Sequence, residues 1–186
     1  SDYIFKHLKL ISKKGFAKIE IPEIKGFKVP VEREIYKNEN FILSAINEYF
    51  YISKQNNFNF RFHGDFSIGN IIFDEANAFI IDWEHSNNKI NIWGVDVLNL
   101  FFESLYFSFK KKNSLNNKNL QSAKKIYNYI NLIFSESNNK ILRLNELIEI
   151  YKKNKGLWGL SFSKLPILKF NKIQLEFIQK IESKKF

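Results

Sequence analysis

FRFHGDFSIGNIIFDEANAFIIDWE, running from Phe60 to Glu84, decides how the rest of the chain is read. It holds His63-x-Asp65, an Asn (Asn70) shortly after that Asp, and a second Asp (Asp82) at the far end of an apolar run. Asn70 to Phe73 and Phe79 to Asp82 are apolar and β-branched or aromatic, and Asp74-Glu75-Ala76-Asn77 between them has turn composition. The stretch therefore reads as a short loop followed by a β-hairpin. Pairing Phe73 with Phe79 places Asn70 opposite Asp82, and directly opposed residues have Cβ atoms about 4.5–5.5 Å apart. That spacing suits one amide oxygen and one carboxylate sharing a Mg²⁺. A register slipped by one residue keeps the two close but puts them on opposite faces, so the metal reading depends on the register.

Asp65 supplies the third element. An Asp on a loop just before a metal-binding Asn can accept a hydroxyl proton while a metal ion neutralises a phosphate, the division of labour found in protein kinases. Here the Arg of the kinase triplet is missing. His63-Gly64-Asp65, Asn70 and the Ile81-Asp82-Trp83-Glu84 run together resemble the aminoglycoside phosphotransferase and choline kinase superfamily. The resemblance continues through DWEHSNNKINIWGVDVLNLFFE, so that it spans His63 to Glu103. It implies a protein-kinase-like C-terminal lobe, α+β in class and mostly helical around a catalytic loop and hairpin. It also implies a phosphotransferase that uses ATP and Mg²⁺ to phosphorylate a hydroxyl of an aminoglycoside-, choline- or sugar-like small molecule. Under it Asp65 is the catalytic base, Asn70 and Asp82 are the metal ligands, and His63 braces the loop. Asp96 is a buried support for that loop, and Glu84 is a substrate or metal contact. Ser67-Ile68 departs from the residue pair often found before the Asn in this superfamily, which leaves the acceptor open.

The length of 186 residues fits one ordinary domain or two small lobes with a buried core. With no Cys, neither a disulfide framework nor a thiolate metal site can form. No apolar run is long enough to span a membrane and no signal-peptide pattern opens the chain, which is compatible with a cytoplasmic protein. The net charge of +10 is almost all Lys, with Arg33, Arg61 and Arg143 the sole arginines. Arg is the residue for bidentate phosphate and guanine recognition. Abundant Lys, Asn, Ile and Phe instead point to an A+T-rich coding sequence, so nucleic acid is not the expected partner; an ATP phosphate tail would accept some of the charge.

Outside the core motif, Phe16 to Ile21 alternates as a half-buried strand does, and Pro22 and Pro30 bracket an irregular stretch. Helical spacing marks 32–53, 96–112, 118–135, 140–155 and 165–184. The expected organisation is a remnant or linker over 1–30 and a catalytic lobe over 31–186. Within that lobe the core covers 60–103 and a helical subdomain covers 96–186. No Gly-rich phosphate loop precedes His63, and Lys18 or Lys28 is the available stand-in for a phosphate Lys. A nucleotide-gripping N-terminal lobe is thus absent or minimal. Together with the missing Met and the start at Ser1, this makes a C-terminal lobe of a longer protein the expectation.

Two other readings compete. His63, Asp65, Asp82 and His85 could form the site of a metal-dependent hydrolase, although that leaves Asn70 and Glu84 without a role. A non-catalytic pseudokinase-like scaffold or a basic binding module is the third.

Overall fold

In the computed structural model of the chain, the described residues are 9–13, 16–20, 25–55, 63–75, 77–82, 94–111, 115–137, 140–153 and 166–183, the first two segments for their backbone alone. Two antiparallel strands come first, β1 (Lys9–Lys13) and β2 (Phe16–Glu20), with Lys9 facing Glu20 and Lys13 facing Phe16. The alternation over Phe16–Ile21 accounts for β2; β1 carries no comparable signal.

Helix α1 (Ile35–Gln55) buries Ile35, Ile42, Ala45, Ile46, Tyr49 and Ile52 along one face. A bend over residues 31–33 precedes it, so the helix starts inward of the expected 32. The Lys37 N–H at the start of α1 is met locally by the Glu34 carbonyl at 2.9 Å, but the two before it are not. Instead Ile35 N–H donates to Ser108 Oγ (3.0 Å) and Tyr36 N–H to Asn119 Oδ1 (3.3 Å), side chains from two later helices.

The central hairpin is β3 (Ile71–Phe73) and β4 (Ala78–Ile80). Its register differs from the expected one by a single residue. Phe73 pairs with Ala78 and Ile71 with Ile80, because Asp74 closes the turn on itself. Asp74 N–H donates to the Asn77 carbonyl at 3.1 Å, and Asn77 N–H donates to Asp74 Oδ1 at 2.6 Å. Ile71, Phe73, Ala78 and Ile80 face the core, while Ile72 and Phe79, paired across the ladder, lie on the half-open face. Phe27 extends this hairpin through a two-way backbone bridge to Phe73 (2.8 and 2.9 Å), and its ring packs edge-on against Phe41. Gly26 permits the approach, since a Cβ there would sit 2.5 Å from the Phe73 carbonyl oxygen.

Helix α2 (Val95–Phe109) is buried nearly all round, as expected of a central helix. Gly94 starts it at φ 84, and a Cβ on Gly94 would lie 2.2 Å from the Phe134 ring. Around α2 pack α3 (Asn117–Glu136), α4 (Leu144–Lys153) and α5 (Lys172–Glu182). The α3 N-terminus is capped by Asn116, and α5 opens with a reciprocal Asn171–Gln174 capping box. Glu182 reaches back from α5 to accept the Leu144 N–H at the start of α4 (2.8 Å). A 3₁₀ turn over Pro166–Leu168 precedes α5, which therefore begins later than expected. The architecture is α+β and mainly helical. No helix among the described residues is long and apolar enough to cross a membrane.

Candidate functional site

The loop between His63 and Asn70 is held from below by α2. Its residues Asp96, Asn99 and Glu103 recur at i, i+3 and i+7, a polar stripe on a mainly apolar helix. Asp96 accepts the backbone N–H groups of His63 (2.8 Å) and Gly64 (3.2 Å), and the Tyr49 hydroxyl at 3.1 Å. Burial pushes its carboxyl up to about 7 in spite of those donors, and the charge of Asp65 adds to the rise. Asn99 works with the opposite polarity: its Nδ2 donates to the Phe66 carbonyl at 3.3 Å. The loop's N–H groups thus go to a carboxylate and its C=O to an amide, three residues apart on one helix face.

His63 is fully buried. Its Nδ1 accepts the Asp65 N–H at 3.3 Å, so Nε2 carries the hydrogen and donates to the Ile81 carbonyl at 2.9 Å. That ring ties the loop to the end of the hairpin, the bracing position expected for it. Both ring nitrogens are thus engaged within the chain.

Asp65 is half-buried, and its Oδ2 accepts from Asn70 Nδ2 at 3.0 Å. The same amide nitrogen bonds the Asp65 backbone oxygen at 2.9 Å. Both bonds use the nitrogen, so Asn70 Oδ1, the atom a hard cation would take, accepts no hydrogen bond among the described residues. Because of the shifted register, Asn70 faces Ile81, whose N–H donates to the Asn70 carbonyl at 3.0 Å. Asp82 comes one residue later, exposed and with φ 63. A left-handed turn breaks the strict in–out alternation of the strand, so the register alone does not assign Asp82 to a face. Asp65, Asn70 and Asp82 all belong to the mouth of the hairpin, and Asp82 does not enter the apolar layer. Glu84 and His85 lie outside the described residues.

No group of three or more His, Asp or Glu side chains that could hold a metal occurs among the described residues. Mg²⁺ seldom uses such a cage; it takes one or two protein oxygens and completes its shell with water and phosphate. The free Asn70 Oδ1 and the exposed Asp82 carboxylate are hard oxygen donors that fit such an ion.

Glu103 is the residue that the motif reading did not single out. It is partly buried as a residue, yet its Oε2 is closed off from solvent and meets no donor among the described residues. Burial, followed by the charge of Asp65, raises its carboxyl to about 8. The signal was present in the spacing of Asp96, Asn99 and Glu103. The contributions of Tyr49 and Tyr151 arise only through tertiary packing. Lys28, on the segment beside β3, donates its ammonium to the Gly69 carbonyl at 2.9 Å, next to Asn70. A groove of about 740 Å³ between α1 and α3, lined by Leu43, Asn47, Tyr129 and Leu132, involves none of these groups.

No protein-family model, curated protein or solved structure matches the chain.

Proposed function

We propose that this protein is a phosphotransferase that uses ATP and Mg²⁺ to phosphorylate the hydroxyl of a small, amine-bearing acceptor, with a kinase-like catalytic lobe of the aminoglycoside phosphotransferase and choline kinase type. The observation that carries the reading is the Asp65–Asn70 pair on a loop anchored at both His63 and Gly64 by Asp96. Asp65 would accept the acceptor's proton. The Asn70 amide orients that carboxylate and keeps Oδ1 turned to a cation, and Asp82 supplies the second oxygen. When bound, Mg²⁺ would neutralise charge on the transferring phosphates. The half-open pair Ile72 and Phe79 offers an apolar floor for a nucleotide base, and Lys28 places a positive charge beside the loop. Positioning and charge neutralisation account for most of the rate in such chemistry.

Glu103 favours an amine among the possible acceptors. A closed-off carboxyl that meets no donor among the described residues is expensive to ionise unless a cation arrives. An ammonium group on the acceptor would supply that charge.

The decisive experiment is Mg²⁺-ATP turnover by the intact protein with Asp65→Ala. Turnover should fall by about 10²–10⁴ while nucleotide binding survives. Asp82→Ala should instead raise the Mg²⁺ concentration needed for half-maximal rate. Equal turnover in wild type and Asp65→Ala would overturn the mechanism.

A further inference from the structure

We infer that Tyr151 and Asn99 act in series as a positioning pair for Asp65, an inference that rests on the phosphotransferase reading. Tyr151, on α4, is fully buried and donates its hydroxyl to Asn99 Oδ1 at 2.7 Å. Asn99 Nδ2 in turn donates to the carbonyl of Phe66, the residue after Asp65. A side-chain amide can present either end to a neighbour. Here the Tyr151 hydroxyl must find an acceptor, which turns the amide so that its NH₂ faces the loop. Phe66 is itself fixed by stacking on Tyr49, with ring centroids 5.1 Å apart. The carbonyl bond therefore sets the rotation of the Phe66–Ser67 peptide, one residue beyond Asp65.

The hydroxyl is suited to this task. Burial holds Tyr151 well above the usual phenol range, and the neighbouring carboxyls Asp96, Glu103 and Asp65 push the same way, so it stays a neutral donor. Packing alone would be served equally by Phe at this position. The bond from Tyr151 carries the influence of the helical subdomain, more than fifty positions away in sequence, to the residue beside the base.

The test is a double-substitution cycle on the intact protein, with Tyr151→Phe, Asn99→Leu and both together. Amide hydrogen exchange is read at Asp65 and Asn70, whose N–H groups are bonded within the loop. Turnover is read with Mg²⁺-ATP and choline as the acceptor probe. Tyr151→Phe should speed exchange at both amides about fivefold, the effect of one lost hydrogen bond. It should lower kcat and leave the KM for Mg²⁺-ATP within twofold. For a pair acting in series, adding Tyr151→Phe to Asn99→Leu should change neither readout further. Unchanged exchange at Asp65 and Asn70, or effects that multiply in the double variant, would overturn the pairing. If wild type fails to phosphorylate choline, the amine-acceptor reading is at fault, and the exchange cycle still decides the positioning role.

Discussion

Asp82 has an unusual backbone for a residue with a side chain, and the strain has a measurable signature. A non-glycine residue held at positive φ costs about 1 kcal/mol or more. Asp82→Gly relieves that cost, roughly offset by the extra freedom of Gly in the unfolded chain, about 0.4–1 kcal/mol. The thermal midpoint of Asp82→Gly should stay near wild type while the Mg²⁺ requirement rises; Asp82→Ala, which tolerates positive φ less well than Asp, should melt lower. Glu103 gives a second prediction. A cation beside it favours the ionised form, so choline binding below pH 8 should release a proton, and affinity should rise with pH up to about 8. Calorimetry in buffers of different ionisation enthalpy measures the proton, and Glu103→Gln should abolish it. At this scale the sequence was informative about Asp65, Asn70, His63 and Asp96, because their spacing is local or tied to a motif. Glu103 acquires meaning only once α2 is seen to run beneath the loop, and Tyr151 only once α4 packs against it.

Among the elements, α2 depends on Gly94, the residue that caps its start. Gly94→Ala would force a Cβ into the Phe134 ring at a backbone angle that favours glycine. Overpacking costs about 1–3 kcal/mol, with strain in addition, and each kcal/mol lowers the midpoint of a chain this size by roughly 2–4 °C. Thermal unfolding of Gly94→Ala checks this; a midpoint within a degree of wild type would contradict it. Helix periodicity located α1 to α4 to within a few residues, since each buries a single apolar face or, for α2, almost its whole surface. The hairpin was legible as a hairpin but not in its register. Ala78-Phe79-Ile80-Ile81 is apolar on both faces, so alternation could not choose between pairings. The choice was made by the Asp74–Asn77 hydrogen bonds, which shorten the turn and draw Ala78 into the ladder. In α5 the early start expected from helical spacing gave way to the 3₁₀ turn and the Asn171 cap.

For the molecule as a whole, two enclosed acids dominate the response to pH. Asp96 and Glu103 have folded values of about 7 and about 8, above their ordinary values of 3.8 and 4.5. Between those limits the folded state binds more protons than the unfolded chain, so stability should fall as pH rises from about 4 to 8 and level off above. Burial moves Glu182 the same way, while Glu146, lowered first by the Arg143 backbone N–H and then by Lys140, and Glu39, lowered by its bond to Lys125, oppose it weakly. Urea midpoints at pH 5 and pH 8 test the sign, and Glu103→Gln should flatten the upper part of the fall. The remaining charge is scattered over pairs such as Lys37–Glu34 and Lys152–Glu149. The start of α1 has a different kind of consequence. Its first two amides are completed by Ser108 at the end of α2 and by Asn119 in the first turn of α3. A helix capped from elsewhere has no finished end until its neighbours arrive. The first turn of α1, the last of α2 and the first of α3 therefore open and close as one cooperative unit, and the assembly of this fold waits on contacts between segments far apart in the chain.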